Sequence, residues 1–353
     1  MTIEIGNHPI GGDAPCFVVA EAGVNHNGDV RLAHKLVDIA ADCGADAVKF
    51  QTFCAQSLAS PLAGKAAYQE TPTGAQESQL AMLRRLELKP EDYAALKTHC
   101  AERRIVFLST PFDPDSADLL ERLDVAAFKL SSGEVTNLPF LRHVAAKRKP
   151  IILSTGMSTL DEVKTAAATI ASAGNPPLAL LHCTSAYPAI PTESNLSAMA
   201  TLRDAFNVPV GYSDHTLGIV VAIAAAALDA SIIEKHFTAD TTLPGPDHRA
   251  SLERDALRAM IAGIHAAKAA RGDGIKQPQP GERDVARVAR RSVVALRDLA
   301  VGTVLAPDML GILRPGTGIP PAEKDALCGR RLVHAVAAGT PLQWDDLAKG
   351  ERR

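Results

Sequence analysis

Isolated polar side chains stand two positions apart in several short apolar stretches of the chain. Glu21 follows Val19, Lys49 precedes Gln51, Lys129 precedes Ser131, Ser213 precedes His215, and Glu234 precedes His236. In an extended strand, residues i and i+2 share a face, so Lys49 and Gln51 can point one way while Val48 and Phe50 point the other. One lysine in one apolar run would be an edge charge or a paired core charge. The same pattern at the end of several runs suggests convergence on a common site. Lys49 and Lys129, with the hydroxyls of Thr110, Ser132, Ser154 and Ser213, suit a small ligand that carries phosphate and carboxylate: ammonium groups offset the charge and neutral donors fill the remaining lone pairs. His215 and His236 end consecutive runs, and two neutral imidazoles with Glu21 and Glu234 nearby suit a divalent transition metal whose other positions go to water or substrate. Glu21 and Glu234 are the candidates for proton handling, with Lys129 beside them. His26, in VNHNGD, is a weaker candidate, because that sequence also makes a turn before a helix.

Side chains on separate runs meet only if the fold brings the run ends together. The runs are CFVVAEAG (16–23), AVKFQTF (47–53), IVFLSTPF (105–112), AAFKLSS (126–132), PIILSTG (150–156), LALLHCTS (178–185), VPVGYSD (208–214) and ASIIEKHF (230–237). Between them lie segments such as RLAHKLVDIAADCG, PEDYAALKTHCAERR and TLDEVKTAAATIASAG, whose apolar residues recur at three and four, the helical period. Strand and helix alternating eight times over about 250 residues predict an α/β fold, a (β/α)8 TIM barrel, in preference to an open doubly wound sheet. Its catalytic face is the one where the C-terminal strand ends converge, which is where the polar pairs stand. The stretch 54–88 is long, polar and without clear period, and reads as an active-site loop or lid.

Composition narrows the class. Lys+Arg 37 against Asp+Glu 40 gives a net charge of −3, and with 46% hydrophobic residues the 353-residue chain is neither disordered nor a basic nucleic-acid binder. No apolar run is long enough for a membrane span and no secretory leader is evident, so a cytoplasmic location without a membrane or nucleic-acid partner is expected. The six cysteines form no CxxC pair and read as reduced thiols. The expected organisation is a catalytic barrel over 1–272, a Gly/Pro-rich linker over 273–288, and a small β-rich module over 289–353 with little core of its own. No Walker loop and no G-x-G-x-x-G follows the first strand, which argues against a nucleotide cofactor.

The motifs EAGVNHNGD, AVKFQTF, FLSTPFD, FKLSSGE, ILSTGMST, LHCTSAYP, VGYSDHTLG, EKHFT and GPDHRASL, in this order, resemble the bacterial sialic acid synthases. The tail resembles that family's antifreeze-like, or SAF, domain. The resemblance implies condensation of phosphoenolpyruvate with an N-acylated hexose and water, giving a nine-carbon 2-keto acid and phosphate by C–O cleavage. It implies phosphoenolpyruvate on Lys49, Thr110, Lys129, Ser132, Ser154 and Ser213, and a metal, usually manganese with magnesium or cobalt as alternatives, on His215 and His236. It further implies sugar contacts from Glu21, Gln51, Tyr187 and Asp247, and Arg314 reaching the N-acyl group from the small module of a second subunit in a homodimer. Ser185 stands where sialic-acid-forming members often carry Asn. N-acetylmannosamine, giving N-acetylneuraminate, is the first expectation. A 2,4-diacetamido-2,4,6-trideoxymannose, giving legionaminate, is the second, and pseudaminate is less favoured. A metal-dependent aldolase or another phosphoenolpyruvate-condensing synthase would share the barrel, whereas a carbohydrate- or ice-binding module would have no use for the converging charges.

Overall fold

The computed structural model describes residues 1–60, 62–65 and 77–349. The chain forms two compact units, Met1–Gly272 and Asp273–Arg353. In the first, a hairpin of β1 (Ile3–Ile5) and β2 (His8–Ile10) precedes eight parallel strands: β3 (Phe17–Gly23), β4 (Ala47–Thr52), β5 (Val106–Pro111), β6 (Phe128–Leu130), β7 (Ile151–Ser154), β8 (Leu178–Cys183), β9 (Val210–Asp214) and β10 (Ile232–His236). Each expected run contains one of them. The sheet order is β5-β4-β3-β10-β9-β8-β7-β6, and β5 and β6, the two end members, lie side by side and bring the sheet to near closure. The TIM-barrel expectation is met.

Parity along the strands sorts the side chains. The outward set, including Val18, Ala20, Val48, Phe50, Phe128, Leu130, Leu153, Leu180, Tyr212 and Ile233, packs beneath helices such as Val30–Cys43, Pro90–Glu102 and Leu160–Ser172 in one continuous core. The inward set begins apolar: Phe17, Val19, Ala47, Leu108, Ile152, Ala179, Leu181 and Ile232 fill the lower barrel. Ile3, Ile5 and Ile10 of the hairpin join this cluster. The hairpin therefore closes the N-terminal end of the barrel, a role that the sequence reading did not foresee. Above these layers the inward positions turn polar.

Where an active-site loop or lid without clear period is expected after β4, the described residues carry two short helices, Ala55–Leu58 and Gln79–Leu86, and Ser78 caps the second by accepting the Ala81 N–H at 3.2 Å. The rest of the expected lid, residue 61 and residues 66–76, lies outside the described residues.

The second unit also departs from expectation. The stretch read as a linker contains a turn at Pro280–Glu282 and a helix at Arg283–Ala289. Polar and charged side chains alternate with alanine and valine there, and the helix buries none of its residues, so no apolar periodicity marks it. Strand content is modest, one antiparallel pair of β11 (Ser292–Ala295) and β12 (Leu310–Leu313) with isolated bridges such as Leu299 to Val336. The module nevertheless has a core of its own, in which Val293, Leu299, Leu305, Leu310, Ile319, Leu332 and Leu342 are buried together. Among the described residues no helix is long and apolar enough to cross a membrane.

Candidate active site

At the C-terminal ends of the strands the barrel opens into a cavity of about 420 Å³. Its wall includes Glu21, Lys49, Gln51, Thr110, Lys129, Ser132, Ser154, Ser185, Tyr187, Ser213, His215, Glu234, His236 and Asp247, so the structure gathers the barrel residues that the sequence singled out, except the weaker candidate His26. Arg314 belongs to the other unit, exposed just past β12. His26 is fully buried outside this lining, its Nδ1 accepting the Gly28 N–H at 3.0 Å. It is a core histidine held neutral by burial, which lowers its pKa to about 4.

The floor of the cavity is a layer of buried charge. Lys49 Nζ lies 2.7 Å from Glu21 Oε2 and donates to Thr110 Oγ1 at 2.9 Å. Across the barrel, Lys129 Nζ donates to Ser154 Oγ at 2.8 Å and lies 3.6 Å from Glu234 Oε1, which also accepts the Ser213 hydroxyl at 3.0 Å. The four charged groups sum to zero, yet they titrate differently. Burial pushes Glu21 up to about 7, against the pull of Lys49. Burial also opposes ionisation of Glu234, but Lys129 and Lys49 outweigh it and hold that carboxyl below its usual range. Lys129 is lowered, chiefly by burial, whereas at Lys49 the nearby carboxylates overcome burial and raise it. The arrangement thus holds an ionised carboxylate beside one lysine and a carboxyl poised near neutrality beside the other.

Above this floor stand the imidazoles. The rings of His215 and His236 are 5.5 Å apart between centroids, and Tyr187 packs 4.1 Å from the first. His215 Nδ1 donates to the Thr184 carbonyl at 2.9 Å, which fixes the orientation of the ring; burial opposes its protonation, but Cys183 and that carbonyl outweigh burial and raise its pKa. His236 is lowered well below its ordinary value by burial and by cationic neighbours, so it is neutral, and its buried Nδ1 has no hydrogen-bond partner, the nearest carboxylate oxygen being Asp247 Oδ2 at 3.9 Å. Burial raises Asp247 to about 6. Two imidazoles at one mouth, His236 neutral with an orphaned nitrogen and His215 oriented by a backbone carbonyl, are the side chains that suit a cation-binding pair. Among the described residues no group of three or more His, Cys, Asp or Glu is placed to hold a metal ion, so an ion here would take its remaining ligands from water or substrate.

Several participants escaped the sequence reading. Cys183, read from the sequence only as a reduced thiol, lines the cavity 3.7 Å from His215 Nδ1; its parity with Leu181 on β8 could have placed it. Gly156 brings its backbone onto the hydroxyls: its N–H donates to Ser132 Oγ at 2.9 Å, and a Cβ there would collide with Ser185 Oγ. Behind the histidines, on the opposite parity, Lys235 Nζ lies 2.6 Å from Asp214 Oδ2 and donates to the Thr216 carbonyl at 2.6 Å, while Asp214 Oδ1 accepts the Thr216 N–H at 2.9 Å. This fully buried pair ties the backbone on either side of His215 to the strand that carries His236.

Comparison with known proteins places the chain. A sequence profile of the NeuB family matches residues 36–276, and one of the SAF domain matches residues 290–348. The chain belongs to the NeuB family. Its motif resemblance to the bacterial sialic acid synthases agrees with that membership. This NeuB-family chain is 45% identical over 346 residues to the N,N'-diacetyllegionaminic acid synthase of Legionella pneumophila, covering 97% of each protein. It is 47% identical over 316 residues to the protein of the same name from Campylobacter jejuni, covering 89% of this chain and 95% of that one. Among solved structures it resembles the N-acetylneuraminic acid (sialic acid) synthetase of Leptospira borgpetersenii in complex with citrate, with 34% identity and a TM-score of 0.72 over 81% of this chain and 95% of that one.

The buried pair behind the NeuB-family histidines makes a testable demand. Asp214→Asn leaves the Lys235 ammonium buried and uncompensated, which should lower stability by roughly 3–5 kcal/mol. The double substitution Asp214→Leu with Lys235→Met should recover much of that loss, since two well-packed apolar groups replace two charges. Urea unfolding of the three proteins measures both effects. A single variant within about 1 kcal/mol of the parent would show that the ion pair does not anchor this end of the barrel.

Proposed function

We propose that the protein condenses phosphoenolpyruvate with 2,4-diacetamido-2,4,6-trideoxymannose and water to give N,N'-diacetyllegionaminate and phosphate, in the cytoplasm. Membership of the NeuB family supports the reaction class. The observation that carries the choice of sugar is the 45% and 47% identity to two N,N'-diacetyllegionaminic acid synthases, against 34% to a sialic acid synthetase. N-acetylmannosamine, the first expectation from the motifs, therefore gives way to the second.

In this reading phosphoenolpyruvate lies on the charged floor. Lys49 and Lys129 offset its negative charge, and the hydroxyls of Thr110, Ser132, Ser154 and Ser213 complete its hydrogen bonds. C3 attacks the sugar aldehyde, water adds to the cationic C2, and the tetrahedral adduct expels phosphate, so the C–O bond of phosphoenolpyruvate breaks. Glu21, with its pKa near 7, suits proton transfer at that stage, while the ionised Glu234, oriented by Lys129, stabilises the cationic carbon. Gln51, Ser185, Tyr187 and Asp247 contact the sugar. A divalent ion, manganese first with magnesium or cobalt as alternatives, would be held by His215 and His236 and would supply Lewis-acid polarisation of the aldehyde oxygen. Arg314 grips an N-acyl carbonyl from a second subunit of a homodimer, a task that its fixed fork of donors suits better than lysine would.

The decisive assay offers the purified protein phosphoenolpyruvate with 2,4-diacetamido-2,4,6-trideoxymannose, N-acetylmannosamine, or the diacetamido sugar of the pseudaminate branch, and measures phosphate. Release should be fastest with the first. A keto acid formed from pyruvate, with phosphoenolpyruvate left unused and no phosphate released, would indicate an aldolase instead. Chelation should abolish turnover and Mn²⁺ should restore it in the parent but not in His215→Ala or His236→Ala; full activity in demonstrably metal-free protein would eliminate the ion from the reaction. The assignment of Arg314 is tested by mixing Lys129→Ala with Arg314→Ala, each inactive alone. With subunit exchange and random pairing, about one site in four should regain activity, because mixed dimers hold one intact site. A mixture as inactive as its parents, with exchange demonstrated, would assign the arginine to its own barrel.

A further inference from the structure

The cavity has two unlike sides. The charged floor and the imidazoles account for one, and the other is an apolar wall formed by Val24, Leu58, Met82, Leu83, Leu86 and Phe112. Val24 and Phe112 continue β3 and β5, while the remaining four come from the two short helices inserted after β4. Met82 and Leu86 are buried together with Val24 and Phe53, so the wall has its own packed backing.

The wall is also fixed in place. Cys54 donates its N–H to Asp113 Oδ2 at 3.0 Å, and the Ala55 N–H is bonded to the Glu87 carboxylate, so both ends of the insertion are tied down. Gly28, at φ +77°, lies so close to the second helix that a Cβ there would collide with the Arg85 carbonyl oxygen. The NHNG turn is thus the seat on which the helix Gln79–Leu86 rests. Among the described residues of the insertion that line the cavity, Gln79 alone has a polar side chain.

A wall whose described residues are apolar but for one amide does not match a sugar end that carries free hydroxyls. A hydroxyl buried there without a partner loses its water and gains nothing. A methyl group gains by burial, and a glutamine can satisfy one acetamido group. We infer that this wall reads the C4–C6 end of the acceptor sugar, with Leu58, Leu83 and their neighbours receiving the 6-deoxy methyl group and Gln79 pairing with the 4-acetamido group. The inference rests on the proposed product and adds the residues that select for it.

The experiment measures kcat/KM for 2,4-diacetamido-2,4,6-trideoxymannose and for N-acetylmannosamine, at saturating phosphoenolpyruvate, in the parent and in Leu83→Gln, Leu58→Gln and Leu83→Met. In the parent the ratio should favour the deoxysugar. Each glutamine variant should reduce that ratio by roughly tenfold or more, mainly through loss of the deoxysugar rate, while Leu83→Met preserves it and the KM for phosphoenolpyruvate stays within about twofold in all. Leu58 and Leu83 stand on separate helices, so misfolding of one variant leaves the other informative. A parent that prefers N-acetylmannosamine overturns the product assignment and this inference with it. A parent that prefers the deoxysugar by a ratio unmoved in folded glutamine variants, or one in which both sugars lose rate equally, overturns the wall's role and leaves the product assignment standing.

Discussion

Two lysines and two glutamates inside a barrel are tolerable only because they are interleaved. Lys49 sits against Glu21 and Lys129 near Glu234, all nearly inaccessible to water, so each ammonium has a carboxylate within reach and the layer carries no net charge. Removing one member would leave another buried and unpaired, a penalty of several kcal/mol. That condition governs what surrounds it. The strands must hold register so that the pairs meet, as they do where Glu21 lies opposite Lys49 on adjacent strands. Hydroxyls must take up the hydrogen-bonding capacity that the opposite charges leave over, a task that falls to Thr110, Ser154 and Ser213.

The same layer prepares the site for an anion. A bound ligand with phosphate and carboxylate adds negative charge to a set that is balanced without it, which favours protonation of the weakest carboxylate. Glu21, already pushed toward neutrality by burial, is the group that can respond. His236 is kept neutral by the opposite means, since burial and the nearby cations both disfavour a proton on it. Groups suited to an anion and groups suited to a cation thus stand in one cavity, the lysines on β4 and β6 and the imidazoles at the ends of β9 and β10.

Much of this was legible in the sequence because alternation is a strong signal where strands are buried on both faces. Glu234 and His236 in SIIEKHF could only point inward together, and the eight runs fell where strands stand. What stayed hidden has physical reasons. Lys235 reads as a solvated charge until Asp214, on the neighbouring strand, is known to face it. The hairpin IEIGNHPI is too short to announce itself, and its burial against Phe17 and Ile232 is a long-range fact. The helices after β4 are a turn or two each, so their apolar residues have no room to show a period. The small module's core is built from residues scattered along irregular chain between turns, a pattern without periodicity.

The hairpin has one further consequence. Because Ile3, Ile5 and Ile10 fill the lower end of the barrel, the described cavity lies at its upper end, lined by the apolar wall, the imidazoles and, at the floor, the lysines. A group resting on that floor would lie deeper than one held against the wall or the imidazoles, with the hairpin's isoleucines packed beneath the barrel's lower layers.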